Sequence, residues 1–455
     1  MSSFRTFGGP ILDFLTGYTE SGISRLHMPG HKGRAPEGYP EFLREAVPFD
    51  LTEIKGADEL YEPEGIIEAS EERTAALYHA GASCYSAGGS TLSILTMVTA
   101  AVRRFGREII AVRNAHLAFV NACVHTDAEV HWLVPEYDRE SGLCLPASRE
   151  EIAKMMDAFP GAKIVYLTSP DYYGVQADVR QVAEEVHSRG GILLVDNAHG
   201  AHLIAFPGVH PMEAGADLCC DSPHKTLPVL TGGSLLQVRE GMETVFPKAF
   251  LKRIMTLYGS TSPSYLIMAS LEAGTVWMEQ EGKQAFLRLA ERIKELSGYL
   301  TEKGVPILSR VSDCTKLTID AYRCGYTSDE LAEFLRENRI EPEFCGGGKI
   351  VLMTSPQNTE EDFSRILRVA DILYLKKPME YPAFALRPVR AVPLREAAFS
   401  PSEEISVSDA VGRIAAENRI ACPPGIPVVT ACEKIGADEK KMLLESGILR
   451  INVIE

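Results

Sequence analysis

Between about residue 75 and residue 240 the chain alternates short apolar runs with stretches whose apolar residues recur at helical spacing. The runs "REIIAV" (107–112), "EVHWLV" (129–134), "AKIVYLT" (162–168), "GILLVD" (191–196), "ADLCCD" (216–221) and "GSLLQV" (233–238) are apolar or β-branched and bounded by Gly, Pro, Asn or Asp, which predicts strands. Helical patterns lie between several of them, such as "SREEIAKMMDAF" (148–159) and "DVRQVAEEVHSRG" (178–190). The second ends on Arg189-Gly190, a basic last turn followed by a glycine stop. This alternation predicts an α/β domain with a mostly parallel sheet covered on both faces. Residues 265–303 read as a long helix. Beyond it "TKLTIDA" (315–321), "SDELAEFLRENR" (328–339), "GKIVLMTS" (348–355) and "TEEDFSRILRVADIL" (359–373) predict a smaller α/β unit. The proline-rich stretch 376–399 reads as a linker crossing the surface. A last α+β unit is expected to hold a helix over "VSDAVGRIAAEN" (407–418) and the turn-rich "ACPPGIPVV" (421–429). The expected division is an N-terminal arm (1–70), a large domain (71–285), a small α/β domain (286–378) and a C-terminal domain (379–455).

A chain of 455 residues is too long for one core, so several domains are required. With 45% hydrophobic and 24% charged residues the composition is that of an ordinary globular protein. The formal charge of −16 is spread along the chain, which argues against a nucleic-acid-binding surface. Ten cysteines occur with no C-x-x-C pair, so reduced, buried thiols are expected rather than a zinc ribbon or a disulfide framework. The first residues lack the order of a signal peptide, and no stretch reaches the length of a membrane span. A cytoplasmic protein with no membrane partner is the expectation.

Polar motifs fall at the ends of the predicted strands. Gly88-Gly89-Ser90-Thr91 follows "ASCYSA"; Arg113-Asn114-Ala115-His116 follows "IIAV"; Ser169-Pro170-Asp171-Tyr172-Tyr173-Gly174 follows "KIVYLT". Asp196-Asn197-Ala198-His199 ends "ILLV", and Ser222-Pro223-His224-Lys225 follows "ADLCCD". In an open parallel sheet that edge is where ligands bind, so five such motifs mark a site. The glycines of Gly88–Thr91, opening a helical stretch, permit close backbone approach, and the free N–H groups with the two hydroxyls suit a phosphate. Such a loop is also compatible with a plain turn. Asp196 is either a turn or cap residue or an acid pairing with a protonated ring nitrogen. Lys225, one strand further on, is either a surface residue or a desolvated amine able to form a Schiff base. The acid, the lysine and the phosphate loop together favour the second reading of each. His116 is either a core histidine or a residue stacked on a flat cofactor, with Ala198 leaving room on the opposite ring face. His199 and His202 form H-x-x-H, but Gly200 intervenes and no helical Glu accompanies them, so no metal is expected.

The sequence "DNAHGAH" followed by "DSPHKTLPVLTGG" resembles the signatures of the bacterial ornithine/lysine/arginine decarboxylases, fold-type I pyridoxal-phosphate enzymes of aspartate-aminotransferase architecture. "RLHMPGHKGR" (25–34), "DLTEIKGADELYEPEGII" (50–67), "YGSTSPSYLIMASLE" (258–272) and "CPPGIP" (422–427) match further motifs of that family, in order. The resemblance implies pyridoxal 5′-phosphate as cofactor and a basic amino acid, arginine, lysine or ornithine, as substrate. It also implies a homodimer or larger assembly. Lys225 would carry the cofactor as a Schiff base, Asp196 would hold the pyridinium nitrogen and His116 would stack on the ring. Gly89, Ser90, Thr91, Ser222 and His224 would surround the phosphate, with Ala198 and His199 beside the ring. Ser260, Thr261 and Ser262 would reach the partner subunit's phosphate. Lys225 or His224 would return a proton to the substrate. Selection of a basic side chain needs a carboxylate, for which Glu433, Asp50, Glu53 and Asp58 are candidates.

The sequence departs from the family pattern at four places. His116-Leu117-Ala118 stands for His-Lys-Ser, and loss of that hydroxyl would remove a phosphate hydrogen bond of about 0.5–1.5 kcal/mol, or twice that to a charged group. Asn197 stands for Glu, Pro223 separates Ser222 from His224, and Ala431-Cys432-Glu433 stands for Pro-Gly-Glu. Two other readings follow: another pyridoxal-phosphate reaction of aminotransferase or aldolase type, with Arg387 or Arg390 as carboxylate clamp, or a cofactor-binding relative without catalysis.

Overall fold

The computed structural model describes residues 7–381, 386–421 and 426–455. Most of the "CPPGIP" motif, residues 422–425, lies outside them, as does part of the proline-rich linker, residues 382–385. Among the described residues, the first two-thirds of the chain holds seven strands of four or more residues, β1 (Ala80–Ser86), β2 (Glu108–Val112), β3 (Glu129–Leu133), β4 (Ile164–Thr168), β5 (Ile192–Asn197), β6 (Leu218–Asp221) and β7 (Ser234–Arg239), besides the two-residue pair Tyr137–Asp138 with Leu143–Cys144. The six runs predicted from apolar patterning each form within about two residues of their expected bounds.

The chain gathers into two compact units, Met1–Arg104 with Leu194–Leu287, and Phe105–Leu193 with Arg288–Glu455. In the first, β5 and β6 pair in parallel, β7 runs antiparallel to β6, and β1 runs antiparallel to β7. β5 and β6 are buried at every position, which is why their sequences are unbroken apolar runs rather than alternating ones. Beneath β1, the Glu71 carboxylate accepts from Tyr85 N at 2.7 Å and pairs with Lys252 and Lys248, tying the helices Ile66–Leu77 and Lys248–Met255 to the strand.

In the second unit β2 pairs in parallel with both β3 and β4. The helix Arg149–Ala158 starts at a capping box in which Ser148 and Glu151 exchange hydrogen bonds. The small α/β region holds an antiparallel sheet of β8 (Lys316–Asp320), β9 (Phe344–Gly346) and β10 (Lys349–Met353), in the order β8-β10-β9. The C-terminal segment has its own core, with Val407, Val429, Ile435, Leu443, Ile451 and Val453 fully buried. The pairs Ser402–Ser406 with Arg450–Ile454 and Arg419–Ala421 with Ile426–Val429 flank it.

The helix expected over 407–418 does not form. Only Val407–Asp409 makes a short 3₁₀ turn; Gly412 then takes a left-handed φ of +87°, and Ile414 and Ala415 bridge to Lys434 and Val453. The apolar spacing there serves strand-like contacts, and the glycine ends any helix. The long helix over 265–303 forms as Tyr265–Trp277 and Lys283–Glu302, joined by one turn of wider winding at Met278–Gly282. Among the described residues no helix is long and apolar enough to cross a membrane. The nine cysteines among them are free thiols.

Candidate active site

The first unit assembles most of the predicted motifs at the ends of β1, β5 and β6. After β1 the chain turns at Gly89, whose φ is +68° and whose N–H donates to Gly232 O at 2.8 Å. The helix Gly89–Phe105 starts there, with Ser90 half-buried and Thr91 exposed in its first turn. A Cβ built on Gly89 would meet nothing within 4 Å, so the glycine borders open space at a helix N-terminus.

β5 delivers Asp196, 2% exposed, whose Oδ1 accepts from Ala198 N at 3.1 Å and from the Cys220 thiol at 3.4 Å. His199, two residues past the strand, is buried, and its Nε2 lies 3.0 Å from Lys225 Nζ. Lys225 is half-buried on the single turn Pro223–Thr226 that follows β6. That turn also carries Ser222 and Thr226, both buried, whose hydroxyls have no hydrogen-bond partner. Buried hydroxyls left unsatisfied cost free energy and call for an acceptor.

His224 Nδ1 lies 2.7 Å from Gly233 O, so that nitrogen carries the ring proton and Nε2 is left as the acceptor. Burial pushes its pKa below the ordinary histidine value; the Gly233 carbonyl opposes the shift and the Lys225 ammonium adds to it. A neutral His224 can therefore take up a proton at Nε2. The two open hydroxyls, the free end of the helix Gly89–Phe105, the buried acid and the adjacent amine fit a cofactor with a phosphate, an aldehyde and a basic ring nitrogen.

The remaining predicted residues are placed differently. Ser260, Thr261 and Ser262 lie exposed on a turn of the first unit, with Ser262 N donating to Ser260 Oγ at 3.1 Å. His202 is buried with its ring 5.2 Å from that of Phe286, a packing contact. His116 belongs to the second unit and is exposed there; its Nδ1 accepts from Ala118 N at 3.1 Å, capping the helix Leu117–Thr126.

Of the four candidate substrate acids, two have other tasks. Glu433 is 3% exposed and forms a two-pronged ion pair with Arg113, Nη1 to Oε1 at 2.8 Å and Nη2 to Oε2 at 2.7 Å. Asp58 accepts backbone N–H groups of Glu59, Glu64, Gly65 and Ile67 at 2.9 Å, closing the N-terminus of the helix Ile66–Leu77. Burial raises its pKa, but those four hydrogen bonds outweigh it and the net shift is downward. Asp50 lies 3.1 Å from His31 Nε2. Glu53 is half-buried, and burial and then the charge of Glu59 push its pKa up.

Sequence reasoning missed Arg113 as the partner of Glu433, and it missed Thr226. It also missed a fully buried group behind the site, Asn197, His210 and Asp221. The one signal for that group was Asn197, noticed as a departure without its partners.

The chain matches the family description "Orn/Lys/Arg decarboxylase, major domain" over residues 9–310 and "Orn/Lys/Arg decarboxylase, C-terminal domain" over residues 375–444. It is 32% identical over 432 residues to an arginine decarboxylase of Bacillus subtilis, covering 89% of this chain and 86% of that one. It is 30% identical over 459 residues to an arginine decarboxylase of Halalkalibacterium halodurans, covering 94% and 91%. Its fold superimposes on lysine decarboxylase A of Pseudomonas aeruginosa with a TM-score of 0.84 at 17% identity, over 99% of this chain and 81% of that one. The constitutive lysine decarboxylase of E. coli gives 0.80 at 17% identity, over 99% and 82%. Motif order, site chemistry and likeness over nearly the whole length agree: the chain belongs to the Orn/Lys/Arg decarboxylase family of pyridoxal-phosphate-dependent enzymes.

Proposed function

We propose that this member of the family decarboxylates arginine to agmatine and CO₂, with pyridoxal phosphate held at Lys225. The observation that carries the cofactor assignment is local to one turn: the Lys225 amine stands 3.0 Å from His199 Nε2, flanked by the unpartnered, buried hydroxyls of Ser222 and Thr226. Arginine is favoured over lysine and ornithine because the relatives alike at 30% identity or more over nearly their full length are arginine decarboxylases.

When bound, the cofactor supplies the sink for the bond electrons left as CO₂ departs. Ser222, Thr226, Ser90, Thr91 and the first N–H groups of the helix Gly89–Phe105 would hold its phosphate. Asp196 would keep the ring nitrogen protonated by opposite charge in a dry setting. His224, its Nδ1 proton engaged by Gly233 O, would first take up a proton from solvent at its open Nε2 and then hand it to the substrate's α-carbon, or Lys225 would give up one of its own. The ring-stacking role of His116 rests on the family resemblance. For the guanidinium of arginine, Asp50 and Glu53 remain as candidate acids. We assign a homodimer, supported by Ser260–Ser262 and by the exposed arm residues Leu26, 93% accessible, and Phe42, 72%. The free thiols support a reducing, cytoplasmic setting.

The test is to saturate the purified protein with pyridoxal phosphate and offer arginine, lysine and ornithine separately, measuring amine and CO₂ together. Agmatine and CO₂ in equal amounts from arginine, abolished in Lys225→Ala, is the expected result. Faster turnover of lysine or ornithine would overturn the substrate; a cofactor-bound protein releasing no CO₂ would overturn the reading.

A further inference from the structure

The strands that carry the two ends of the site, β5 with Asp196 and β6 leading to Lys225, are paired in parallel with Asp196 opposite Cys220 and Asn197 opposite Asp221. The second of these is the last rung before the chains diverge, one toward Ala198 and His199, the other toward Ser222 and Lys225. It is closed by side chains. Asn197 Nδ2 donates to Asp221 Oδ1 at 2.6 Å, and His210 Nε2 lies 3.1 Å from the same oxygen. His210 Nδ1 accepts from Met212 N at 3.2 Å, which places the ring proton on Nε2, facing Asp221. Gln237 Nε2, on β7, approaches Asp221 Oδ2 at 3.5 Å. Asn197, His210 and Asp221 are each fully buried. Three donors thus converge on a carboxylate sealed from water, the arrangement a buried negative charge requires.

That charge is felt around it. Burial first, and then the charges of Asp221 and Asp196, push the thiols of Cys219 and Cys220 well above their ordinary value. Tyr78, whose ring packs 5.0 Å from that of His210, is pushed up by burial and then by Asp221. The amide of Asn197 also explains a departure from the family signature: a glutamate at 197 would direct a second carboxylate at Asp221. Gly200 belongs to the same unit of design, because a Cβ there would lie 1.9 Å from Asn197 Oδ1.

We infer that Asp221, held by Asn197, His210 and Gln237, is a positioning residue for the reaction: it locks the last rung of β5 and β6 and adds a second negative charge behind Asp196, favouring the protonated cofactor ring. The inference rests on the reading that Lys225 and Asp196 hold pyridoxal phosphate. Asp221 touches neither substrate nor cofactor in this role; it acts through Asp196 and the strand pair.

The experiment uses the full chain loaded with pyridoxal phosphate and compares wild type, Asp221→Asn, Asn197→Asp and the double exchange Asn197→Asp/Asp221→Asn. The readouts are the pH midpoint of the bound cofactor's visible absorbance band, its dissociation constant, and kcat and KM separately. Asp221→Asn removes the charge, so the midpoint falls by about one unit and cofactor affinity drops about tenfold. kcat falls with it while KM for the amino acid stays level. Asn197→Asp sets two carboxylates face to face and loses cofactor affinity further. The double exchange restores an amide–carboxylate pair and returns midpoint and affinity toward wild type, which a merely space-filling role would not do. An unchanged midpoint in Asp221→Asn, or a double exchange no better than Asn197→Asp, would overturn the inference. If Asp221→Asn does not fold, the double exchange alone decides. A wild type that binds no cofactor would instead refute the functional reading, a separate outcome.

Discussion

Replacing Glu433 with alanine gives the sharpest test of what the last segment of the chain does. Arg113, fully buried at the end of β2, sends four hydrogen bonds into that segment: two to the Glu433 carboxylate, one from Nε to Pro427 O at 2.8 Å and one from Nη2 to Val428 O at 3.2 Å. Removing one side of a buried ion pair costs about 3–5 kcal/mol, because the other charge stays behind in low dielectric. Arg113 keeps its two carbonyl acceptors, which places the loss near the lower end, about 3 kcal/mol. Thr430 N, which donates to Glu433 Oε2 at 2.9 Å, also loses its acceptor, adding about 1 kcal/mol. The expected destabilisation is therefore about 4 kcal/mol. Urea unfolding followed by the fluorescence of Trp132 reads it directly, since that ring lies 5.6 Å from the Arg113 guanidinium carbon. A Trp277→Phe background removes the only other tryptophan. The double replacement Arg113→Met/Glu433→Leu, which leaves no charge unpaired, should cost much less than Glu433→Ala alone. If Glu433→Ala unfolds like the wild type and instead raises KM for the basic amino acid alone, the ion pair is not structural and Glu433 is the substrate's acid after all.

Three further outcomes are expected. Asp58→Ala should destabilise by about 2 kcal/mol through loss of the cap on the helix Ile66–Leu77, and Asp58→Asn by less, both read by thermal melts with KM unchanged. Lys349, buried beside Asp320 and Tyr381, has its pKa lowered to about 8, burial being the main cause and Asp320 opposing it. Above that value the unfolded chain holds a proton that the folded protein does not, so stability rises with pH until the lysine also deprotonates in the unfolded state. The wild type should gain about 2 kcal/mol over Lys349→Met between about pH 8 and pH 10 in parallel urea titrations, and a flat difference would refute the shift. Gly200→Ala should push Asn197 off Asp221, weakening cofactor retention about as much as Asn197→Asp, measured by equilibrium dialysis.

The parts of the site that could be read from sequence are those whose meaning is local. Asp196 ends an unbroken apolar run, and Lys225 follows another by a few residues, so strand-end placement alone predicts their edge of the sheet. Gly89 and its neighbours announce a turn into a helix in the same way. The C-terminal region was misread for a physical reason: Val407, Ala410, Val411, Ile414 and Ala415 carry helical spacing, but one glycine at φ +87° and two strand-like bridges override it. Glu433 looked like a spare carboxylate because its partner stands 320 residues earlier, and a buried arginine has no sequence mark of its own. Asn197 is the most instructive case. In isolation it is a lost carboxylate, a blemish in the Asp-Glu-Ala-His-Gly pattern. Its meaning depends on Asp221, 24 residues away and opposite it only once β5 and β6 have paired in parallel. Periodicity gives the strands but not which residues face across them, because a register slip of one position would set Asn197 against Cys220. A departure from a family motif is therefore judged by the neighbour it meets in the folded sheet, and here that neighbour is an acid which an amide satisfies and a second acid would repel.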